Sequence, residues 1–362
     1  MRIGVPKEIK LDEYRVGLTP ASVKEYRAHG HAVVVESGAA AGLGISDDDY
    51  RAAGATVVNS VDEVFAADMI VKVKEPQPTE WQRLKRGQIL FTYLHLAADP
   101  AQTKGLIASG CTAVAYETVT DARGGLPLLA PMSEIAGRLA IEAAALALRK
   151  PSGGMGKLIG GVPGVAPAKI VVIGGGAVGT QAARMATGLG ADVTVIDRSL
   201  ARLRELDDLF AGRIKTRFST REAIEEEIIS ADVVIGAVLV PGAAAPKLVS
   251  HAQLSKMKPL AVLVDVAIDQ GGCFETSRPT THRDPVYTVD GIIHYCVANM
   301  PGAVPLTSSH ALNNATLPFG LALADKGMDA FKDPHLDAGL NIHDGKVMHA
   351  AVATSLGLPF SS

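Results

Sequence analysis

The sequence predicts an α/β protein with two doubly wound parallel-sheet domains, the first of them discontinuous. Short apolar runs alternate with helix-length segments in two successive series, and the chain then ends in a helical segment with no strand series of its own. A chain of 362 residues is also long for a single hydrophobic core. We therefore expect residues 1–128 and 307–362 to form one domain and residues 129–306 to form the other.

The first series of apolar runs predicts six strands. They cover residues 2–5, 32–35, 56–58, 69–73, 89–93 and 112–115. Between the first two strands, Thr19-Pro20 is typical of a helix start, with Thr as N-cap and Pro in the first turn, and Gly30 ends that helix. Strands that alternate with helices indicate a mostly parallel sheet covered on both faces.

An Ala- and Leu-rich helix over residues 133–150 and a loop rich in Gly and Pro over residues 151–167 precede the second series. Gly156-Lys157 in this loop raises the alternative of a phosphate-binding P-loop, but Pro151 and Leu158 occupy positions that need Gly and Ser or Thr. The second series predicts strands at residues 169–173, 192–196, 233–237, 261–266 and 292–295. From about residue 307 the chain is predicted to be helical, to end in a polar tail without strands, and to return to the first domain.

Composition excludes several classes of partner. The net charge of -3 and the aromatic content of 4% give no reason to expect nucleic acid or an anionic membrane. Cys111, Cys273 and Cys296 form no CxxC pair, and the histidines show no metal-ligand spacing, so we expect no metal site. No apolar signal core or membrane-length apolar window is present, which predicts a soluble, cytoplasmic protein with reduced thiols.

The strongest motif is a glycine-rich turn after the strand at residues 170–173. Gly174 permits a tight turn, Gly176 lets the backbone approach a pyrophosphate, and Gly179 lets the following helix pack closely on the sheet. The free N–H groups of that helix favour the phosphates. Asp197, about 20 residues on, suits the ribose hydroxyls, so this context predicts a Rossmann-like domain that binds NAD. Arg198 leaves NADP open, because an arginine there could contact a 2′-phosphate.

Four side chains are candidates for the chemistry because they lie at or near predicted strand ends, where open α/β sheets place their ligands. They are Arg15, Lys74, His95 and Asp269. Each also has a structural interpretation. Arg15 and Lys74 could be surface charges, His95 a core histidine with its hydrogen bonds satisfied, and Asp269 the cap of the Gly271-Gly272 turn.

Long stretches of the chain resemble a known family. Residues 4–30 (GVPKEIKLDEYRVGLTPASVKEYRAHG) and 160–179 (GGVPGVAPAKIVVIGGGAVG) resemble two signatures shared by alanine dehydrogenases and the NAD-binding subunit of proton-translocating transhydrogenases. Residues 236–250, 264–282 and 295–316 resemble alanine dehydrogenases in particular. The resemblance covers essentially the whole chain in order.

The resemblance implies a role for each candidate. Arg15 and Lys74 would hold the substrate, His95 would be the general acid/base, and Asp269 would organise the reacting amine or water. The first predicted domain would then bind the substrate and the second would bind NAD. The positions that align with NAD contacts, besides Gly174, Gly176, Gly179 and Asp197, are Ser133, Ala177, Val178, Arg202, Ser219, Val238, Leu239, Val266, Ala267, Ile268, Asp269, Arg278, Val297, Ala298, Asn299 and Met300.

The implied reaction is the oxidation of L-alanine by NAD to pyruvate, ammonium and NADH, and its reverse. The implied assembly is a homohexamer. One alternative is the transhydrogenase subunit, which needs no amino-acid site and therefore does not require Lys74, His95 and the run that contains Asp269. A second is a catalytically silent NAD-sensing protein, and the intact set of four candidate residues argues against it. Gly17 departs from the signature's usual Ala, and Lys326 stands where some members have a metal-binding His, so the resemblance does not imply a metal here.

Overall fold

A computed structural model describes residues 1–238 and 245–361. The chain divides into two compact units, each built on its own sheet. The first unit contains Met1–Met132 and the residues from Val304 onward, and the second contains Ser133–Ala303. The predicted α/β class with a discontinuous first part is confirmed.

The N-terminal part of the first unit alternates strands and helices. Its strands are β1 (Arg2–Val5), β2 (Ala32–Glu36), β3 (Thr56–Val58), β4 (Met69–Val71), β5 (Ile89–Thr92) and β6 (Thr112–Ala115). Its helices are α1 (Pro20–Ala28), α2 (Asp47–Ala52), α3 (Val61–Phe65), α4 (Pro78–Trp81) and α5 (Pro100–Ser109). These six strands are parallel to one another, so their carboxyl ends lie along one edge of the sheet.

The second unit follows α6 (Ala130–Ala147), most of which belongs to it. Its strands are β7 (Lys169–Ile173), β8 (Asp192–Asp197), β9 (Lys215–Phe218), β10 (Val233–Gly236), β11 (Val262–Asp265), β12 (Val286–Val289) and β13 (Ile292–Tyr295). Its further helices are α7 (Ala177–Gly188), α8 (Leu200–Phe210), α9 (Arg221–Ser230) and α10 (His251–Leu254). The sheet order is β12-β13-β11-β10-β7-β8-β9, and only the β12–β13 pair is antiparallel.

Both faces of this second sheet are buried. Ile170 and Val172 of β7 belong to one apolar core, and Val171 and Ile173 belong to a second one. Because successive strand residues point to opposite faces, a core on each side requires a run of apolar residues without alternation. The sequence of β7, KIVVI, has that pattern, and it explains why this strand could be predicted.

The C-terminal part corrects one prediction. After α11 (Pro305–Lys326) and α12 (Pro334–Asp337), the chain forms β14 (Leu340–His343) and β15 (Lys346–Val347) before α13 (Ala350–Leu356). The expected polar tail without strands is therefore wrong. β14 pairs antiparallel with β6 and extends the first sheet to eight strands, in the order β15-β14-β6-β5-β4-β1-β2-β3. Two short strands with only a few apolar residues carry too little periodicity to be recognised from sequence.

Within the described residues, none of the helices combines the length and the apolar character that a membrane crossing requires.

Candidate functional site

Arg15 lies in the coil between β1 and α1 of the first unit, and only 2% of it is exposed. Its Nε and Nη2 donate to the two carboxylate oxygens of Glu13, at 2.7 and 2.6 Å, and its Nη1 lies 3.1 Å from the sulfur of Met132. Burial lowers the pKa of Arg15, but the paired Glu13 carboxylate raises it above its usual value. The guanidinium is therefore a fixed, charged group rather than a surface charge.

Lys74 follows β4 and is half-buried. Its backbone N–H donates to Glu8 Oε1 at 3.3 Å, and that of Val73 donates to the same oxygen at 2.7 Å. The neighbouring Lys72 is fully buried, with its Nζ 3.0 Å from Glu8 and 2.7 Å from Glu80. Burial lowers the pKa of Lys72, but the two carboxylates raise it above its usual value, so this ammonium stays charged. Glu8 thus ties the segment that contains Lys74 to a buried ion cluster.

His95 lies just beyond β5 in a left-handed backbone conformation, with φ 51°. Glu117 holds this turn, because it accepts the N–H of His95 at 2.6 Å and that of Leu94 at 3.2 Å. The ring of His95 stacks on Tyr93 with a centroid separation of 5.8 Å. Its Nδ1 is 3.8 Å from Glu117 Oε1, and 47% of its side chain is exposed. His95 is therefore an accessible acid/base group on a constrained backbone, not a core histidine.

The first unit brings Arg15, Lys74 and His95 into one neighbourhood. Tyr93 stacks on His95 and interacts electrostatically with Arg15 and Glu117. Glu8 also interacts electrostatically with Arg15, and it accepts a hydrogen bond from the backbone N–H of Lys74. Since β1, β4 and β5 are parallel, the segments that follow them leave the sheet at the same edge, which is where open α/β sheets place ligands.

In the second unit, the glycine turn between β7 and α7 has the geometry that its sequence predicts. A Cβ on Gly179 would lie 1.8 Å from the carbonyl oxygen of Gly174, so α7 packs too closely for any side chain. Gly174 has φ 103°. A Cβ on Gly176 would meet nothing within 4 Å, and Gly176 is the N-cap of α7. The open space lies at a helix N-terminus, where a phosphate would be held by free N–H groups.

Asp197 ends β8 beside this turn. Its two oxygens accept the N–H of Gly175 at 2.7 Å and that of Ser199 at 2.8 Å, and the other lone pairs of a carboxylate can accept ribose hydroxyls. The guanidinium of Arg202 is engaged with the turn, because it donates to Gly175 O and to Thr180 Oγ1, both at 2.7 Å. The Arg198 side chain is exposed.

Asp269 lies in a 3₁₀ turn, Ile268–Gln270, that follows β11, and its side chain is exposed. The preceding Asp265 is fully buried and accepts the N–H groups of Ala267 at 3.1 Å and Cys273 at 2.8 Å. Val266 and Ala267 are half-buried in the same loop. The loop that contains Asp269 is therefore organised by a second carboxylate.

The other residues predicted to contact NAD are spread over the second unit. Arg278 stacks over the ring of Tyr287, with 3.9 Å to the centroid. Asn299 has φ 62° and follows the bridge between Thr280 and Val297. Leu239 lies outside the described residues. Of the rest, Met300 is buried, Ala177 is exposed, and Ser133, Val178, Ser219, Val238 and Ala298 are half-buried.

Sequence reasoning missed the acidic partners of these groups. Glu13, Glu8, Glu80, Glu117 and Asp265 all fall in the buried or nearly buried range. Glu13 is two residues from Arg15 and Asp265 is four residues from Asp269, so their closeness in sequence could have identified them as partners. Glu117 lies 22 residues from His95, so only the pairing of β5 with β6 brings them together.

Family models for "Alanine dehydrogenase/PNT" match the chain in two parts, the N-terminal domain over residues 4–136 and the C-terminal domain over residues 140–350. The chain is 60% identical to an alanine dehydrogenase of Halomonas elongata, with 99% of this chain and 98% of that protein covered.

Solved structures agree with these matches. A structure of L-alanine dehydrogenase superposes with a TM-score of 0.96 at 50% identity, with 99% of each chain covered. A transhydrogenase from Sinorhizobium meliloti matches with a TM-score of 0.81 at 27% identity, with 97% of this chain and all of that chain covered.

Proposed function

Because the chain belongs to the alanine dehydrogenase/PNT family, we propose that it is an NAD-dependent alanine dehydrogenase. It oxidises L-alanine to pyruvate, ammonium and NADH, and it catalyses the reverse reductive amination. The observation that carries the proposal is the set of Arg15, Lys74 and His95 in the first unit, held by the buried carboxylates of Glu13 and Glu8 and by the nearly buried Glu117.

Arg15 and Lys74 bind the substrate. The planar guanidinium of Arg15 suits a carboxylate, because its fork can donate two parallel hydrogen bonds. Glu13 already occupies one edge of that fork and fixes its plane, so little side-chain entropy remains to be lost on binding. The ammonium of Lys74 provides a second positive charge for the carboxylate and the carbonyl of pyruvate.

His95 is the general acid/base. An imidazole can both accept and donate a proton near neutral pH, as a reversible deamination requires. Oxidation of alanine gives iminopyruvate, water attack gives a carbinolamine, and proton transfers through His95 release ammonia and pyruvate. Asp269 organises the amine or the attacking water through its carboxylate.

The second unit binds the cofactor through its glycine turn. NAD held there would supply the hydride acceptor for the Cα–H of alanine. The open space at Gly176 and the N-terminus of α7 fit a pyrophosphate, and Asp197 fits the adenosine ribose. Asp197 also repels a 2′-phosphate, and Arg202 is engaged with the turn, so NAD is preferred over NADP. The ratio of kcat/KM for the two cofactors tests this choice, and a preference for NADP would contradict it.

The transhydrogenase subunit is the second candidate, and it is the weaker one. The chain is 27% identical to the transhydrogenase, against 60% to the alanine dehydrogenase of Halomonas elongata. A hydride relay between two nucleotides also needs no carboxylate-binding arginine and no general acid/base such as His95.

An absorbance assay at the NADH band tests the proposal. Pyruvate, ammonium and NADH together should give rapid oxidation of NADH, and omission of ammonium should abolish most of it. Equal rates with and without ammonium would indicate reduction of the keto acid alone and would refute reductive amination. From the family resemblance we further propose that the protein is a cytoplasmic homohexamer. Light scattering on the purified protein measures the number of subunits.

A further inference from the structure

Residues 266–274, named here the Asp269 loop, have buried side chains at Ile268, Cys273 and Phe274, whereas residues 269–271 between them are not buried. They follow β11, contain the 3₁₀ turn Ile268–Gln270, and end in two glycines with positive φ and then Cys273 and Phe274. Asp269 is exposed near the tip, whereas Ile268 beside it is buried. A reactive carboxylate on such a segment needs an external anchor, because glycine-rich backbone is intrinsically mobile.

Asp265 anchors the N–H groups of this loop. Its Oδ1 accepts from Ala267 N at 3.1 Å, and its Oδ2 accepts from Cys273 N at 2.8 Å and Phe274 N at 3.3 Å. The hydroxyl of Ser277 also donates to Oδ2. One buried carboxylate therefore joins the two ends of the loop.

Lys247 anchors the carbonyl groups. Its Nζ donates to Gly271 O at 2.5 Å, Gly272 O at 2.8 Å and Phe274 O at 3.1 Å. The backbone beside Lys247 donates hydrogen bonds to two more carbonyls, from Ala245 N to Gln270 O and from Leu248 N to Cys273 O. Five consecutive carbonyls, from residue 270 to residue 274, are thus bonded to the segment at residues 245–248.

Gly272 shows how closely the loop approaches its anchor. Its φ is 75°, and a Cβ at this position would lie 2.6 Å from Asp265 Oδ2 and 2.7 Å from Ser277 Cβ. The loop can follow this path only with glycine at this position. A carboxylate and an ammonium therefore hold the polar backbone of this loop, beside the buried side chains of Ile268, Cys273 and Phe274.

We propose that Asp265 and Lys247 are positioning residues that hold the Asp269 loop in the geometry the reaction needs. The inference rests on the proposed function, in which Asp269 organises the amine or the water. Charge-assisted hydrogen bonds to backbone groups are stronger than neutral ones. Loss of either charge should therefore make the backbone of the Asp269 loop more mobile. A displacement of about 1 Å at a reacting group can cost roughly 100-fold in rate.

Lys247→Met is the test variant, because the lysine side chain is exposed and the substitution leaves the apolar cores unchanged. We expect kcat for alanine oxidation to fall about 10- to 100-fold, with KM for alanine and Kd for NAD within about twofold of the wild type. Lys247→Arg keeps the charge and several donors, and it should recover most of kcat. Asp265→Asn, which keeps the shape of the side chain, should show the same split between kcat and KM.

Lys258→Met is the matched control. Lys258 lies in the same unit with 40% of its side chain exposed, but its ammonium donates to Asp232 at 2.7 Å, away from the loop. Wild-type kcat in Lys247→Met, an equal loss in Lys258→Met, or a loss confined to NAD binding would overturn the proposal.

Amide hydrogen exchange tests the anchors without any turnover. The amides of Ala267, Cys273 and Phe274 should exchange faster in Lys247→Met than in the wild type and in Lys258→Met, and unchanged exchange would overturn the proposal. A wild-type protein without alanine turnover would refute the proposed function, and the exchange comparison would then decide the positioning role alone.

Discussion

Substitution of Gly176 by Ala should weaken cofactor binding while leaving the stability of the protein nearly unchanged. The added Cβ meets no protein atom within 4 Å, and φ of -68° suits any residue. Replacing Gly by Ala at a compatible position changes stability by only about 0.4–1 kcal/mol. We therefore expect Gly176→Ala to fold normally and to melt within a few degrees of the wild type.

The same Cβ should weaken NAD binding strongly. It would occupy the space at the N-terminus of α7 that a pyrophosphate needs to reach the backbone N–H groups. Loss of one hydrogen bond to a charged group costs about 1.5–3 kcal/mol. Since about 1.4 kcal/mol is a factor of ten, Kd for NAD should rise roughly 10- to 150-fold. Titration of the protein with NAD in an isothermal titration calorimeter measures this change.

Gly179→Ala is the control, and we expect it to lower the stability of the folded protein. Its Cβ would lie 1.8 Å from Gly174 O, so the helix must move away from the sheet. Overpacking of this kind costs about 1–3 kcal/mol, and thermal unfolding without cofactor should show it. A Gly176→Ala protein that binds NAD as well as the wild type, or a Gly179→Ala protein that is as stable, would refute the assignment of roles within the turn.

Three further predictions concern other parts of the molecule. His95→Ala and Asp269→Ala should each lose about 10²- to 10⁴-fold in kcat while NAD binding is retained, and near-normal rates in both would contradict the site. Glu13→Ala should destabilise the protein by about 3–5 kcal/mol, because it leaves the buried guanidinium of Arg15 without its carboxylate; an unchanged midpoint in urea would contradict this. Burial raises the pKa of Asp232, but nearby lysine ammonium groups and a backbone N–H lower it below its usual value. The stabilisation is therefore present above the unfolded pKa and is lost as the pH falls through the folded pKa. In Asp232→Asn the melting temperature should fall less steeply with decreasing pH below about pH 4. Identical dependence of the melting temperature on pH in the two proteins would contradict this.

Local sequence was sufficient for the elements whose patterns are continuous. The strand at residues 169–173 was predicted with its observed bounds, because an apolar run buried on both faces leads directly into the glycine turn. Asp197 was found in the same way, by its distance along the chain from Gly174. The helix predicted over residues 133–150 runs over Ala130–Ala147 instead, since Ala- and Leu-rich sequence contains no clear stop signal.

Edge elements were missed for a common reason. β9 and β12 are partly exposed edge strands of only four residues each, and KTRF of β9 has a single apolar residue. β14 is recognisable only through its pairing with β6, more than 200 residues earlier in the chain. Their pairing partners are what make such short segments strands.

By itself, the sequence determined the α/β class, the glycine turn with Asp197, the family, and the four candidate residues for the chemistry. Only the tertiary structure decided that Lys72 is buried between two carboxylates while Lys74, two residues later, is half-buried. It also decided that Glu117 holds His95 and that Asp265 and Lys247 hold the Asp269 loop. The physical reason is that burial and charge pairing depend on partners from distant segments, whereas turns and helix starts depend on neighbouring residues.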